Sequence, residues 1–121
     1  MPERSARLRL DDIERQIGLI EAALNGVDRD TFEADPILQA AIVRFIEVIG
    51  EAANRLPPPL RAAAPEIPWP AVVSMRNLIA HGYYDIDIGI IWETATVAIL
   101  ELKPVIGRFI ALCEQGGSNP A

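Results

Sequence analysis

Apolar residues recur every three or four positions along this chain, and that period constrains its fold more than any other feature. Leu10, Ile13, Ile17, Ile20 and Leu24 fall on one face of a helix read from about residue 5 to 24. Asn25-Gly26 closes it, because both residues tolerate the left-handed conformation that ends helices. Asp28, Asp30 and Thr31 offer N-caps for a second helix over 31–56, with Pro36 allowing a break or late start. Its buried stripe is read as Leu38, Ala41, Ile42, Phe45, Ile49, Ala52 and Leu56, and Pro57-Pro58-Pro59 stops it. Residues 57–68 read as a connector with one short turn at 60–64. A third helix begins near Pro70, runs through Val72, Met75 and Ile79 and ends near Gly82. A fourth spans about 87–114 behind Asp87 as N-cap, with a seam of Ala98, Leu102, Val105, Phe109 and Leu112. Pro104 predicts a kink or break in it. No segment alternates apolar and polar residues as a half-buried strand does. The expected fold is all-α, a bundle of four to five helices in one domain over 1–115, with 116–121 as a flexible tail.

Composition narrows the function. Half of the 121 residues are hydrophobic, enough for one core. Seventeen acidic against eleven basic residues give a formal net charge of -6, which excludes wrapping of duplex nucleic acid by bulk charge but leaves room for a local phosphate site. One cysteine, Cys113, and one histidine, His81, exclude an internal disulfide, a multi-cysteine zinc site and a two-histidine metal cage within one chain. No metal or other cofactor is expected. The first residues are too densely charged for a signal peptide. No apolar run approaches the roughly 18 residues that span a bilayer. No membrane association is expected, and the expected compartment is the cytoplasm.

One stretch gathers reactive groups: Met75, Arg76, Asn77, then His81, Gly82, Tyr83, Tyr84 and Asp85. Histidine exchanges a proton near neutral pH, and arginine holds phosphate by a planar fork of donors. Together they suit RNA cleavage without metal, in which a 2′-hydroxyl attacks the adjacent phosphorus and the arginine stabilises the added charge. On a regular helix residues five apart point roughly 140° apart. Arg76 and His81 therefore meet if Gly82 unwinds the last turn, or if two chains face each other across a two-fold axis. The dimer is the favoured route, since it supplies two histidines. The plainer alternatives are a histidine that closes a helix and an arginine that pairs with a glutamate of a neighbouring helix.

Here the chain resembles a known family. Arg76 and His81 match the R-x-x-x-x-H signature of HEPN-domain ribonucleases. Tyr83 extends it to R-x-x-x-x-H-x-Y, the signature of HepT-like toxins paired with a minimal nucleotidyltransferase antitoxin of the MntA type. The segment RFIEVIGEAAN from Arg44 to Asn54 is similar to that family's second-helix block, PEIPW precedes the motif, and Asp85-Ile86-Asp87 and Trp92-Glu93-Thr94 come after it. The resemblance runs from about residue 5 to 115. It implies a HEPN-like fold, a homodimer, and a toxin that acts as an RNase on an RNA substrate. It further implies that Arg76 and His81 serve cleavage, and that the antitoxin attaches AMP to Tyr83 to block the site. Tyr84, directly after it, is a second candidate hydroxyl.

Other residues carry two readings each. Glu47 and Glu51 either form a charge ladder with Arg44 and Arg55 or orient Arg76 or His81. Gly50, unfavourable in a helix interior by about 1 kcal/mol against alanine, is read as a point of close approach that admits the motif helix. Asn77 either holds the site's backbone or contacts RNA, or is an exposed polar residue. Arg4, Arg7 and Arg9 form a small basic cluster, and Trp69 and Trp92 are read as packing residues. The rival function is a non-catalytic helical binding subunit of a nucleotidyltransferase complex, which the acidic net charge favours.

Overall fold

The computed structural model describes residues 2–77 and 87–118. Helix α1 spans Pro2–Leu24, and Leu10, Ile13, Ile17 and Ile20 are buried along one face, as their period predicts, with Ala6 buried beside them and Leu24 only half-buried. Gly26, at φ 74°, makes the left-handed turn after it. The second predicted helix is two. Helix α2 (Arg29–Glu33) is capped by the Asp28 carboxylate, which accepts from the Thr31 amide at 2.8 Å. Helix α3 (Pro36–Asn54) is capped by Asp35, which accepts from the Leu38 amide at 3.1 Å, with Pro36 in the first turn. Proline in the first turn sacrifices no intrahelical bond, so the chain restarts there rather than continuing. The Gln39 amide then donates to the carbonyls of Phe32 and Glu33, at 2.8 and 3.0 Å, and satisfies the end of α2.

Helix α3 is the axis of the molecule and packs against α1 and α2, and against three later elements. These are α5 (Trp69–Ser74), the tight 3₁₀ turn Met75–Asn77 directly after it, and α6 (Ile88–Glu93). Burial on α3 differs from the predicted stripe, in which Leu38, Ala41 and Phe45 are only half-buried. Val43, Ile46 and Ala53 join Ile42, Ile49 and Ala52 in the core, because an axial helix has neighbours on several sides. Short helix α4 (Pro58–Ala62) lies in the proline-rich connector. Trp69 is buried, donates its indole N–H to the Ala64 carbonyl at 3.0 Å and stacks on Phe109 at 6.3 Å. Trp92 packs on Phe32, ring centroids 5.3 Å apart.

Asp87 caps α6, accepting from the Gly89 amide at 2.8 Å. The chain then widens into a π-type turn, Thr94–Ala98, and continues as α7 (Ile99–Ser118). The Ile99 amide reaches back five residues to the Thr94 carbonyl, and the Thr96 hydroxyl donates to the Trp92 carbonyl at 2.7 Å. The predicted seam holds in the middle of α7 but not at its two ends, the first of which lies in this turn. Ala98 and Leu112 are exposed, while Ala95, Ile99, Ile106 and Ile110 are buried beside Leu102, Val105 and Phe109. Pro104 sits inside α7 without breaking it. The helix also reaches Ser118, into the segment read as a tail. Helices α1 and α7 run antiparallel, tied by Arg7 to Glu114 at 3.0 Å and by Lys103 to Glu21 at 2.9 Å. Among the described residues there is no strand, and no helix is long and apolar enough to cross a membrane. The fold is the all-α bundle expected.

Candidate functional site

Arg76 is positioned by a missing side chain. The 3₁₀ turn that carries it lies against α3 at Gly50, where a Cβ would stand 2.5 Å from the Arg76 amide nitrogen, 3.0 Å from the Met75 carbonyl carbon and 3.0 Å from the Val72 oxygen. No side chain fits that gap. Gly50 thus lets the motif backbone touch α3, as its helix-breaking identity suggests. Val72 is buried and Met75 is packed against the core on either side of the contact. The Arg76 side chain, 38% exposed, leaves this anchored backbone toward solvent.

It enters a cleft of about 280 Å³ between α1, α3 and the turn. Arg9, Asp12, Arg44, Glu47, Glu51 and Arg76 supply its charged wall. Glu51 is shared: its Oε1 accepts from Arg55 Nε at 2.9 Å, and its Oε2 stands 3.9 Å from an Arg76 terminal nitrogen. The charge ladder and the contact with Arg76 therefore coexist. Glu47, the one buried charged residue among those described, stands 4.0 Å from Arg44 on the same wall. Three guanidinium groups and three carboxylates balance, so the cleft is close to neutral in a chain of net charge -6.

The structure thus brings together Arg76, Glu47 and Glu51 of the predicted site. Asn77 closes the turn that carries Arg76. His81, Tyr83 and Tyr84 lie outside the described residues. Helix α5 ends at Ser74, and Arg76 sits in the 3₁₀ turn Met75–Asn77 rather than in the regular helix predicted there. Arg44 was legible only as a rung of a ladder, and Arg9 only as part of a basic cluster. Their meeting with Arg76 depends on how α1 and α3 pack. Among the described residues no group of three or more histidine, cysteine, aspartate or glutamate side chains could hold a metal ion. What the cleft offers is planar, phosphate-matching donors with carboxylates 3.9–4.0 Å away from them.

Comparison with known proteins converges on one family. The family described as "Ribonuclease HepT-like" matches residues 13–109. The chain is 35% identical over 107 residues to a protein from Thermococcus cleftensis named as a probable ribonuclease HepT, covering 88% of this chain and 94% of the relative. A protein from Caldanaerobacter subterraneus subsp. tengcongensis, which carries a provisional RNase name, is 33% identical over 107 residues, 88% of this chain and 96% of its own length. Another provisional RNase, from Methanocaldococcus jannaschii, is 32% identical over 119 residues, 98% of each chain. No solved structure matches the chain at a significant level.

Proposed function

The chain belongs to the HepT-like ribonuclease family, and from that premise we propose that it is the toxin of a toxin–antitoxin pair, a metal-independent endoribonuclease. The 2′-hydroxyl of one nucleotide loses its proton and attacks the adjacent phosphorus. The O2′–P bond forms, the P–O5′ bond breaks, and the proton is returned to the 5′-oxygen. The products are a 2′,3′-cyclic phosphate and a 5′-hydroxyl. Arg76 binds the scissile phosphate and stabilises its added charge. His81 moves the proton, as general acid or base. In a homodimer whose motifs share one cleft, two histidines divide the two roles. Asn77, Glu47 and Glu51 support Arg76 and the motif backbone. A nucleotidyltransferase antitoxin silences the site by attaching AMP to Tyr83.

The observation that carries this reading is Arg76 itself. Its backbone is seated on Gly50 and its guanidinium faces a cleft walled by charge. Replacing Arg76 or His81 by alanine should each lower RNA cleavage by at least about 100-fold, the usual scale for lost proton-transfer or charge-stabilising groups. The helical circular dichroism spectrum should be unchanged, and EDTA should leave the wild-type rate as it was. Loss of cleavage in EDTA with recovery on adding Mg²⁺ or Mn²⁺ refutes the metal-independent mechanism. Unchanged cleavage in His81→Ala refutes the role of His81. No cleavage by the wild type leaves the chain a non-catalytic binding subunit.

A further inference from the structure

The ion pairs of the described residues fall into two sets. Six are close. Arg7 pairs with Asp11 at 2.8 Å and Glu114 at 3.0 Å, and Arg29 with Glu33 at 2.9 Å. Arg55 pairs with Glu51 at 2.9 Å, Lys103 with Glu21 at 2.9 Å and Arg108 with Glu66 at 3.3 Å. Three are long: Arg9 with Asp12 at 4.0 Å, Arg44 with Glu47 at 4.0 Å, and Arg76 with Glu51 at 3.9 Å. Every member of the three long pairs lies on the wall of the Arg76 cleft. At these separations the carboxylates attract the guanidinium groups without accepting hydrogen bonds from them. The forks of Arg9, Arg44 and Arg76 are thus gathered in one place, with donors that those carboxylates do not occupy.

We propose that Arg9 and Arg44 are RNA-binding residues of this protein, holding backbone phosphates next to the one held by Arg76. The inference rests on the ribonuclease reading and extends it to the substrate. The RNA is an extended single strand, with one phosphate per guanidinium. The cleft that gathers these three guanidinium groups encloses about 280 Å³, and a single strand can lay its flexible backbone along it. Phosphate oxygens accept bidentate bonds from arginine at hydrogen-bond distance, which the carboxylates here do not. The near-neutral wall matters for the same reason. Elsewhere the net charge of -6 repels a polyanion, so the cleft is where its backbone can approach.

The test is fluorescence anisotropy over a salt series, with a single-stranded 2′-O-methyl RNA of about 12 nucleotides, which has no hydroxyl to attack. Each phosphate contact to a single strand contributes about 0.7 to the slope of log affinity against log salt. Arg9→Gln and Arg44→Gln should each lower the slope by about 0.7 and weaken binding about fivefold at 0.1 M salt. Arg44→Lys, which keeps the charge, should retain the slope. Arg108→Gln, which removes the same charge outside the cleft, should leave it unchanged. With cleavable RNA, the Arg9 and Arg44 variants should raise KM several-fold, with kcat within about twofold. Wild-type slopes in both glutamine variants overturn the proposal, as does an equal loss in Arg108→Gln or tighter binding of duplex RNA. A wild-type protein that neither binds nor cleaves RNA removes the ribonuclease reading itself, a result distinct from these.

Discussion

Gly50 and Arg76 touch through their backbones: a Cβ on Gly50 would stand 2.5 Å from the Arg76 nitrogen. Two opposing effects meet at this position. Alanine in a helix interior is favoured over glycine by about 1 kcal/mol. Forcing a methyl group into a packed contact costs typically 1–3 kcal/mol and shifts the backbone it meets. The backbone atom here cannot rotate aside as a side chain would, so the clash prevails. Gly50→Ala is expected to lower stability by up to about 2 kcal/mol and, by displacing Arg76, to cut RNA cleavage by at least tenfold. Gly18→Ala and Gly107→Ala, where a Cβ meets nothing within 4 Å, should each stabilise by about 0.5–1 kcal/mol. Urea midpoints and cleavage rates measured on the three variants check this. A Gly50→Ala protein with the wild-type midpoint and rate would show that the contact does not position the motif.

How much of the fold the sequence discloses depends on how local each signal is. The stripe of α1 was legible at Leu10, Ile13, Ile17 and Ile20, because a helix with one buried face reports that face in its period, while Leu24 at its end is half-buried and Ala6 at its start is buried as well. Asp87 as a cap and Gly50 as a contact were legible because each residue type has few reasons to stand where it does. The seam of α7 was misread at its start for a physical cause. One extra residue in the turn at Thr94–Ala98 rotates everything before it relative to everything after it. A 4-3-4-3 pattern through Ala98 could not reveal that step, and Leu112, in register with Phe109 beyond it, is simply exposed near the end of α7. The cleft was legible at Arg76, Glu47 and Glu51, which lie in recognisable segments. Arg9 and Arg44 join it only through the packing of α1 on α3, which no local pattern encodes.

The two glutamates of the cleft should differ in effect. Glu47 is 7% exposed by its side chain and Glu51 is 47% exposed. A buried charge acts on its neighbours through a lower dielectric and is screened less by salt. Glu47→Gln is expected to lower kcat by about tenfold, equivalent to about 1.4 kcal/mol, and the loss should persist in high salt. Glu51→Gln should change the rate by no more than about threefold, with stability altered by less than about 1 kcal/mol, as for exposed pairs generally. Single-turnover cleavage at low and high salt distinguishes the two. Equal losses in both variants would contradict the role given to burial.

Acid stability should carry the signature of two exposed carboxylates. Asp28 titrates below the usual aspartate range because it accepts from the Thr31 amide and then from the Thr31 side chain. Glu66 titrates below the usual glutamate range because it accepts from its own backbone N–H and then from Arg108. A carboxyl group held lower in the folded state contributes stability above its unfolded pKa and loses it as pH falls through the folded one. The destabilisation caused by Asp28→Ala should therefore be constant above about pH 5 and shrink as pH falls below about 4. Thermal midpoints of wild type and variant measured from pH 6 to pH 2.5 check the sign. A difference that grows on acidification would contradict it.

The proposed control at Tyr83 makes the most specific demand on the protein. A nucleotidyltransferase would move AMP from ATP onto the phenol oxygen, forming the Tyr–O–P bond and releasing pyrophosphate. The adduct brings bulk and at least one negative charge to a residue two positions past His81. Its phosphate competes for Arg76 by the same charge-assisted bonds that RNA uses, and its nucleoside fills space that RNA needs. Co-expression of the chain with a nucleotidyltransferase encoded beside it should add the mass of AMP to the peptide containing Tyr83 and suppress RNA cleavage. Tyr83→Phe should lose that mass, keep cleaving RNA and remain toxic in the presence of the antitoxin. AMP on Tyr84 instead would move the control point by one residue. Neutralised toxicity with both tyrosines unmodified would mean that the antitoxin inhibits by binding alone, and the covalent mechanism would fall.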